Sequence, residues 1–338
     1  MQMLEQHDVA AYLLARGFVG RRSIVDGTLR IVDATSRNRN FRVSGGAPGE
    51  SLLLKQGLVS DSAESLANEA ALYHRLAAAG GALAAAVPRL YDYDEPRGLL
   101  ILEWISGGED LYRHHAGRAR CSAPLARALG RVLAALHAVA PDEEDLRCDP
   151  PWVLSLHRPR LEALRHLSPP SIELIKSIQR DAAFAACLDA LREGWRVEAL
   201  VHRDVKWANC IVRGPAAIAL VDWEMAGWGD PALDIGSAFG EFLGWRLRSD
   251  VPDDAPADPA IAAFWHAYAA ARGLDGAPAG ELLERAVAFA GARLVQSAYE
   301  KTQETGTASE RTARGVVLAR ELLPAPRTAA GKLLGIAP

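Results

Sequence analysis

The chain has 338 residues, 49% of them hydrophobic and 24% charged, with a formal net charge of −4. That is the make-up of an ordinary globular protein with a sizeable core, and so small an acidic excess gives no footing for a nucleic-acid or anionic-membrane partner. No apolar run approaches the roughly 20 residues needed to span a bilayer, and the opening MQMLEQHDVA lacks the basic and apolar regions of a signal peptide. The four cysteines are too dispersed for a zinc site or a disulfide framework. A reducing cytoplasm is therefore the expected compartment, and the abundance of Ala, Gly, Arg and Leu suits a GC-rich bacterial source.

Asp8 is placed to cap a helix over VAAYLLARG, with Gly17 as its stop. Ser23–Val32 and Arg39–Val43 read as strands, the second alternating polar residues with Phe41 and Val43. The DATSRNRN segment between them holds no glycine. Ser36, the backbone N–H groups and Arg37 or Arg39 have the chemistry to contact a phosphate, although a plain polar hairpin turn has the same composition. Ser51–Lys55 is a strand that ends on a lysine. Asp61, with Glu64, is placed to start the next helix as a capping box. The buried stripe of that helix carries Leu72 and Leu76, and Glu69 shares their face. A carboxylate on an apolar face needs a cation, and Lys55 is the candidate. Val87–Tyr93 and Leu99–Trp104 are the next strands, joined through Glu95-Pro96-Arg97-Gly98. Gly107-Gly108 supplies a flexible link, and a domain boundary is expected near residue 106.

Beyond it the chain turns helical. Leu125, Leu129, Val132, Leu133 and Leu136 fall at helical spacing, with His137 close behind. A less regular stretch holds Trp152 and the arginines from Arg158 to Arg165, and Ser171–Gln179 and Ala182–Glu198 are further predicted helices. His114-His115 lacks the partner spacing of a metal site and suits a polar helix end. Asp230-Pro231 has the cap-then-proline pattern of a helix start. Helices at Pro259–Ala271, Ala279–Thr302 and Glu310–Leu323 complete the chain. The acidic loop RSDVPDDAPAD would attract a cationic ligand or simply face solvent. The polar edge Gln296, Tyr299, Glu300, Gln303 and Glu304 is open to the same two readings.

The chemistry concentrates in Leu200–Glu224, LVHRDVKWANCIVRGPAAIALVDWE. A short strand leads into a charged loop, His202–Asn209, then a strand at Cys210–Arg213, a turn at Gly214-Pro215, and a strand at Ile218–Val221 that delivers Asp222-Trp223-Glu224. Asp204, Asn209 and Asp222 thus come from strand ends. Phosphoryl transfer needs this kind of set: a group to orient an attacking hydroxyl, and oxygen ligands to hold Mg²⁺ on the phosphates. HRDVKWAN fits the kinase catalytic-loop pattern H-R-D-x-x-x-x-N. With VDWE in place of D-F-G, the chain resembles the aminoglycoside phosphotransferase and choline kinase-like family of the protein-kinase-like fold.

That resemblance implies an α+β, two-lobed architecture. Residues 1–106 would form a small N-terminal lobe with an antiparallel sheet, a helix and a hinge. Residues 107–338 would form a larger, mostly helical lobe with the catalytic loop, the metal site and the acceptor pocket. It implies that Lys55 binds the α- and β-phosphates of ATP and pairs with Glu69. Asn38 matches the Asn of the family's Gly-Gly-x-x-Asn loop, with Ser36 beside it, and the backbone of Glu103 to Ile105 meets the adenine edge. Trp104 is either a wall for that base or part of the core. Asp204 takes or orients the acceptor proton and Lys206 stabilises charge on the γ-phosphate. Asn209 and Asp222 ligate Mg²⁺, Glu224 reaches a second metal or its water shell, and His202, Asp234 and His137 are structural supports. The implied activity is ATP- and Mg-dependent O-phosphoryl transfer to a small molecule such as an aminoglycoside, a sugar or choline. Lys206-Trp207 leans towards an alternative, a kinase acting on Ser or Thr of a precursor peptide in lanthipeptide-like biosynthesis ahead of elimination. The glycine-free loop is the support for a third reading, a non-catalytic nucleotide-binding pseudokinase. A P-loop NTPase is set aside, because no G-x-x-x-x-G-K-[ST] string is present.

Overall fold

The computed structural model describes residues 3–35, 38–47, 50–57, 60–141, 147–247 and 256–337. The chain forms two compact units. One comprises Met1–Asp110 with Cys210–Glu224, the other Leu111–Asn209 with Met225–Pro338. The strand pair after the catalytic loop therefore belongs to the same unit as the N-terminal sheet, a division that a single boundary near residue 106 does not express.

In the first unit, strands β1 (Arg30–Asp33), β2 (Arg39–Ala47), β3 (Glu50–Gln56), β4 (Leu90–Asp94) and β5 (Leu99–Glu103) make one antiparallel sheet in the order β1-β2-β3-β5-β4. Side chains alternate between the faces of a strand. Leu52 and Leu54 of β3 thus meet Phe41 and Val43 of β2 and Leu99 and Ile101 of β5, under Val9 and Leu13 of the helix Val9–Ala15. Lys55 takes the opposite face. There the helix Ser60–Ala79 buries Leu66, Ala70, Tyr73 and Leu76, and Glu69 with them. Strands β6 (Ala199–Val201) and β9 (Gly227–Gly229) pair in the second unit, whereas β7 (Cys210–Gly214) and β8 (Ala217–Leu220) form a hairpin in the first.

Four sequence expectations change. Ser23–Val32 is not one strand, because Arg21–Val25 is helical and Gly27, at φ 66°, ends that turn before β1. Asp8 gives no side-chain cap. Its own backbone is helical, at φ −87° and ψ −17°, so it lies within the first turn. The helix expected over Ala182–Glu198 stops at Glu193 with Gly194 behind it, and the chain is extended again by β6. The strand expected over Val87–Tyr93 starts only at Leu90 and follows a short helix, Gly81–Ala85. Ser36, Arg37 and most of the acidic loop, 248–255, lie outside the described residues, as do the side chains of Asp61 and Glu64.

The second unit is built on the helix Pro231–Arg246, buried without a break from Pro231 to Leu243. A helix that is apolar on all sides belongs in a core. Gly236 and Gly240, one turn apart, let it approach the helix Gly276–Thr305 closely. A Cβ on Gly236 would lie 2.5 Å from the Ala286 carbonyl oxygen, and one on Gly240 would lie 2.8 Å from Arg293 Cγ. Neighbouring helices start on aspartates with a proline next: Asp230 accepts from Ala232 N–H and Asp258 from Ala260 N–H, each at 2.9 Å. Among the described residues no helix is long and apolar enough to cross a membrane.

Candidate active site

In the first unit one lysine gathers three carboxylates. Lys55 Nζ lies 2.9 Å from Glu69 Oε2, 2.9 Å from Asp222 Oδ1 and 3.0 Å from Glu224 Oε2. The β3 register puts the lysine on the helix-covered face, and β8 carries the chain to Asp222. Burial acts to lower the Lys55 pKa, but Glu69, Asp222 and Glu224 outweigh it and hold the ammonium above its ordinary value. Burial raises the Glu69 pKa against the pull of Lys55. Asp222 sits at φ 68°, a left-handed conformation that Asp tolerates better than most residues but that still stores strain at a functional position. Asn38 is buried and its Nδ2 donates to Glu224 Oε2 at 2.9 Å, so its amide is engaged with a carboxylate.

The segment after β5 is partly committed to the sheet. Glu103 N–H donates to the Arg89 carbonyl and Trp104 N–H to the Ser51 carbonyl, both at 2.8 Å. The Glu103 carboxylate grips Arg213 with two bonds of 3.0 and 2.9 Å. Burial raises the Glu103 pKa, but the Arg213 bonds prevail and leave it below the usual carboxylate range. Arg42 lies over the Trp104 ring at 5.0 Å. A cavity of about 460 Å³ in this unit is lined from Glu103 to Gly108, with Tyr91 and Arg213.

The second unit holds the catalytic-loop residues. Asp234, fully buried, accepts from His202 N–H at 2.7 Å and from Arg203 N–H at 2.9 Å. His137 Nε2 is 3.2 Å from the same carboxylate, and His137 Nδ1 is 2.9 Å from the Tyr268 hydroxyl. Burial would raise the Asp234 pKa, but the bonds from His137 and the loop backbone bring it below its ordinary value. These bonds hold Arg203 at φ 67°, which turns the following residue out of the loop. Asp204 Oδ2 then accepts from Lys206 Nζ at 2.6 Å and from Asn209 Nδ2 at 3.0 Å. Asn209 Nδ2 also donates to the Asp204 carbonyl, so among the described residues Asn209 Oδ1 has no protein donor. His202 is fully buried and its Nδ1 accepts from Asp204 N–H at 3.3 Å, a scaffolding position.

The structure adds a second buried anchor for the loop. Trp207 N–H donates to Glu241 Oε2 at 3.1 Å, and Arg293 donates to Glu241 Oε1 at 3.0 Å. The Tyr112 hydroxyl binds the same carboxylate. Trp207 has no exposed surface and packs on Tyr112, His115, Phe242 and Trp245. A single acid in the apolar GSAFGEFLGW and a single cation in AVAFAGARLV are the sequence signal for this pair, because an isolated charge in a buried helix requires a partner. Of the polar edge on the helix Gly276–Thr305, Glu300 and Glu304 line a second cavity, whereas Gln303 is tied to His166 and Ser168.

A sequence model of the phosphotransferase enzyme family matches residues 28–282. The chain belongs to that family. It is a phosphotransferase with an alcohol group as acceptor, and its fold is protein-kinase-like. An ethanolamine kinase from Plasmodium vivax superposes with a TM-score of 0.62 at 17% identity, over 95% of this chain and 89% of its own. A macrolide 2′-phosphotransferase from Brachybacterium faecium gives 0.55 at 21% identity, covering 92% and 97%. A spectinomycin phosphotransferase in complex with ADP and its antibiotic gives 0.54 at 11% identity, covering 95% of each. No curated protein sequence matches the chain.

Proposed function

We propose that this phosphotransferase moves the γ-phosphate of ATP to a hydroxyl of a small molecule with the help of Mg²⁺. The observation that carries this reading is the ion cluster of Lys55 with Glu69, Asp222 and Glu224. One ammonium among three carboxylates leaves net negative charge, with Asp222 keeping 36% of its side chain exposed, and hard oxygens are the donors that Mg²⁺ takes. Among the described residues no group of three His, Cys, Asp or Glu side chains could hold a metal ion alone. Mg²⁺ in kinases is bound by one or two carboxylates plus substrate phosphates. Asp222 and Glu224 would hold it, and Asn209 in the second unit carries an unpartnered Oδ1, a hard oxygen of the same kind. When bound, Mg²⁺ neutralises charge on the phosphate oxygens.

The remaining roles follow from the side chains. Lys55 would bind phosphate oxygens, with Glu69 fixing its position. Asp204 would orient the acceptor hydroxyl and take its proton, and Lys206, bonded to that carboxylate, would balance charge as the oxygen attacks phosphorus. The Ile105 N–H, which makes no hydrogen bond among the described residues, is the hinge donor available to an adenine. ATP is supported further by the ADP in the spectinomycin phosphotransferase. Trp207, which the sequence alone set towards a peptide acceptor, has no exposed surface to offer one.

The test is transfer of labelled phosphate from ATP to a panel of small alcohols and Ser/Thr peptides, with Asp204→Asn in parallel. Removing a positioned proton acceptor lowers turnover by about 10²–10⁴-fold, and nucleotide affinity should stay within a few-fold. Transfer to peptides alone, or an Asp204→Asn variant with undiminished turnover, would refute the assignment.

A further inference from the structure

A cavity of about 410 Å³ opens in the second unit beside Lys206, the lysine whose Nζ is bonded to Asp204. That volume is in the range of small-molecule sites, and a molecule within it would lie next to the group proposed to take the acceptor proton. Arg293 lines this cavity. Its side chain is 9% exposed, and only one edge of its guanidinium is satisfied. Nη2 donates to Glu241, Nη1 is 3.8 Å from Glu300 Oε2, and Nε has no partner but is closed off from solvent, so Nη1 marks the edge open to the cavity. A separation of 3.8 Å is too long for a hydrogen bond, and donors left unmade on a buried charged group are unfavourable. A guanidinium presents five N–H groups in a planar fork that matches a carboxylate. Glu300, half exposed and bonded instead to Gln296 at 2.8 Å, is a loose occupant of that fork.

The wider lining has the same bias. The lining carries four cations, Arg293, Lys206, Lys301 and Arg311, and three carboxylates, Glu241, Glu300 and Glu304, with Lys301 bonded to Glu304 at 2.9 Å, Arg293 to Glu241 and Lys206 to Asp204. This lining offers a polycationic acceptor no excess of negative charge. From Arg293, its unfilled edge and this balance, we infer that the cavity takes an alcohol bearing a carboxylate, with Arg293 as its anion receptor. The inference rests on the proposed function. In the step itself, the acceptor oxygen forms a bond to the γ-phosphorus and the bond to the ADP oxygen breaks. The electron pair leaves with ADP, and the hydroxyl proton passes to Asp204.

The experiment measures kcat/KM for glycerate, serine and homoserine, for their methyl esters, for glycerol phosphate, and for the polyamine sugar neamine. The expected result is transfer to the carboxylates at least tenfold above their esters and above neamine. In Arg293→Lys, which keeps the charge but loses the fork, that preference should fall several-fold. In Glu300→Gln, which removes the competing carboxylate, KM for the acids should fall several-fold while that for the esters stays put. A purely structural Arg293 would move neither ratio. Equal or better use of esters or neamine overturns the inference, and so does an unchanged preference in both variants. Preference for glycerol phosphate over all carboxylates overturns the carboxylate assignment. If no acid is phosphorylated while the enzyme still turns ATP over on water or other alcohols, the anion receptor is wrong and the kinase stands. If ATP is not turned over by any route, the proposed function fails first.

Discussion

Asp234 is the residue on which the geometry of the catalytic loop depends, and Asp234→Asn tests this without changing its size. The carboxylate receives three donors in a site with no solvent: His202 N–H, Arg203 N–H and His137 Nε2. His202 and His137 share Oδ2, so the amide loses least by placing its NH₂ at the Oδ1 position, against Arg203 N–H. One hydrogen bond to a charged group is then lost, at about 1.5–3 kcal/mol. In partial offset, Arg203 is freed from a left-handed conformation that costs roughly 1–2 kcal/mol. A net loss of about 1 kcal/mol is expected, a measurable part of a typical folding stability of about 5–15 kcal/mol. Because Arg203 precedes Asp204, the loop should shift, and a displacement near 1 Å can lower rates by about 10²-fold. Urea unfolding followed by circular dichroism and a coupled ADP-release assay give the two readouts. Burial raises the Asp234 pKa and its bonds lower it further, so the folded value is depressed. Its contribution is therefore complete above the unfolded pKa of about 3.9 and lost only as pH falls through the lower folded value. The deficit should be flat between pH 6 and 8. A variant within about 0.5 kcal/mol of the parent, the scale of an ordinary surface change, with undiminished turnover would refute the reasoning.

Lys55→Met should strand Glu69 as a buried, unpaired carboxylate and destabilise the protein by about 3–5 kcal/mol. Adding Glu69→Gln should restore more than half of that loss in a urea titration, and additive losses would show that the pair is not coupled. Gly236→Ala drives a methyl group to 2.5 Å from the Ala286 carbonyl. It should lower stability by about 1–3 kcal/mol, visible as a lower thermal midpoint, whereas Gly244→Ala, with open space around it, should be neutral. Burial pushes His115 down to about 4, where its neutral Nε2 accepts from Ser122 N–H at 3.0 Å. A histidine with a depressed folded pKa contributes stability above its unfolded pKa of about 6.5 and loses it as pH falls towards the folded value. Unfolding between pH 7 and 4 should show His115→Gln losing up to about 3 kcal/mol less than the parent over that window, since a tenfold change in proton affinity between the folded and unfolded chain is worth about 1.4 kcal/mol.

The helical second unit was legible where apolar spacing or a cap-and-proline start marked it, as at Leu125–Leu136 and Asp230-Pro231. The Lys55–Glu69 pair was legible for a different reason: a charge on an apolar helix face implies its partner. What the chain could not display was anything that depends on a distant neighbour. Glu241 and Arg293 lie 52 residues apart, and each reads alone as an oddity in an apolar helix. The short helix Arg21–Val25 leaves no such mark, because five residues are too few to establish a period. Asn38 is bonded to Glu224, a contact across 186 positions that no local pattern announces.

The first unit recovers Cys210–Glu224 only after the chain has visited the second. Two of the three acidic partners of Lys55 arrive on that returning segment. A gene fragment ending at Asp110 would therefore encode the sheet but a lysine with Glu69 alone. Domain exchange with a relative by a single splice would break the same set, so recombinants of this fold should succeed only when both crossover points around 210–224 travel together.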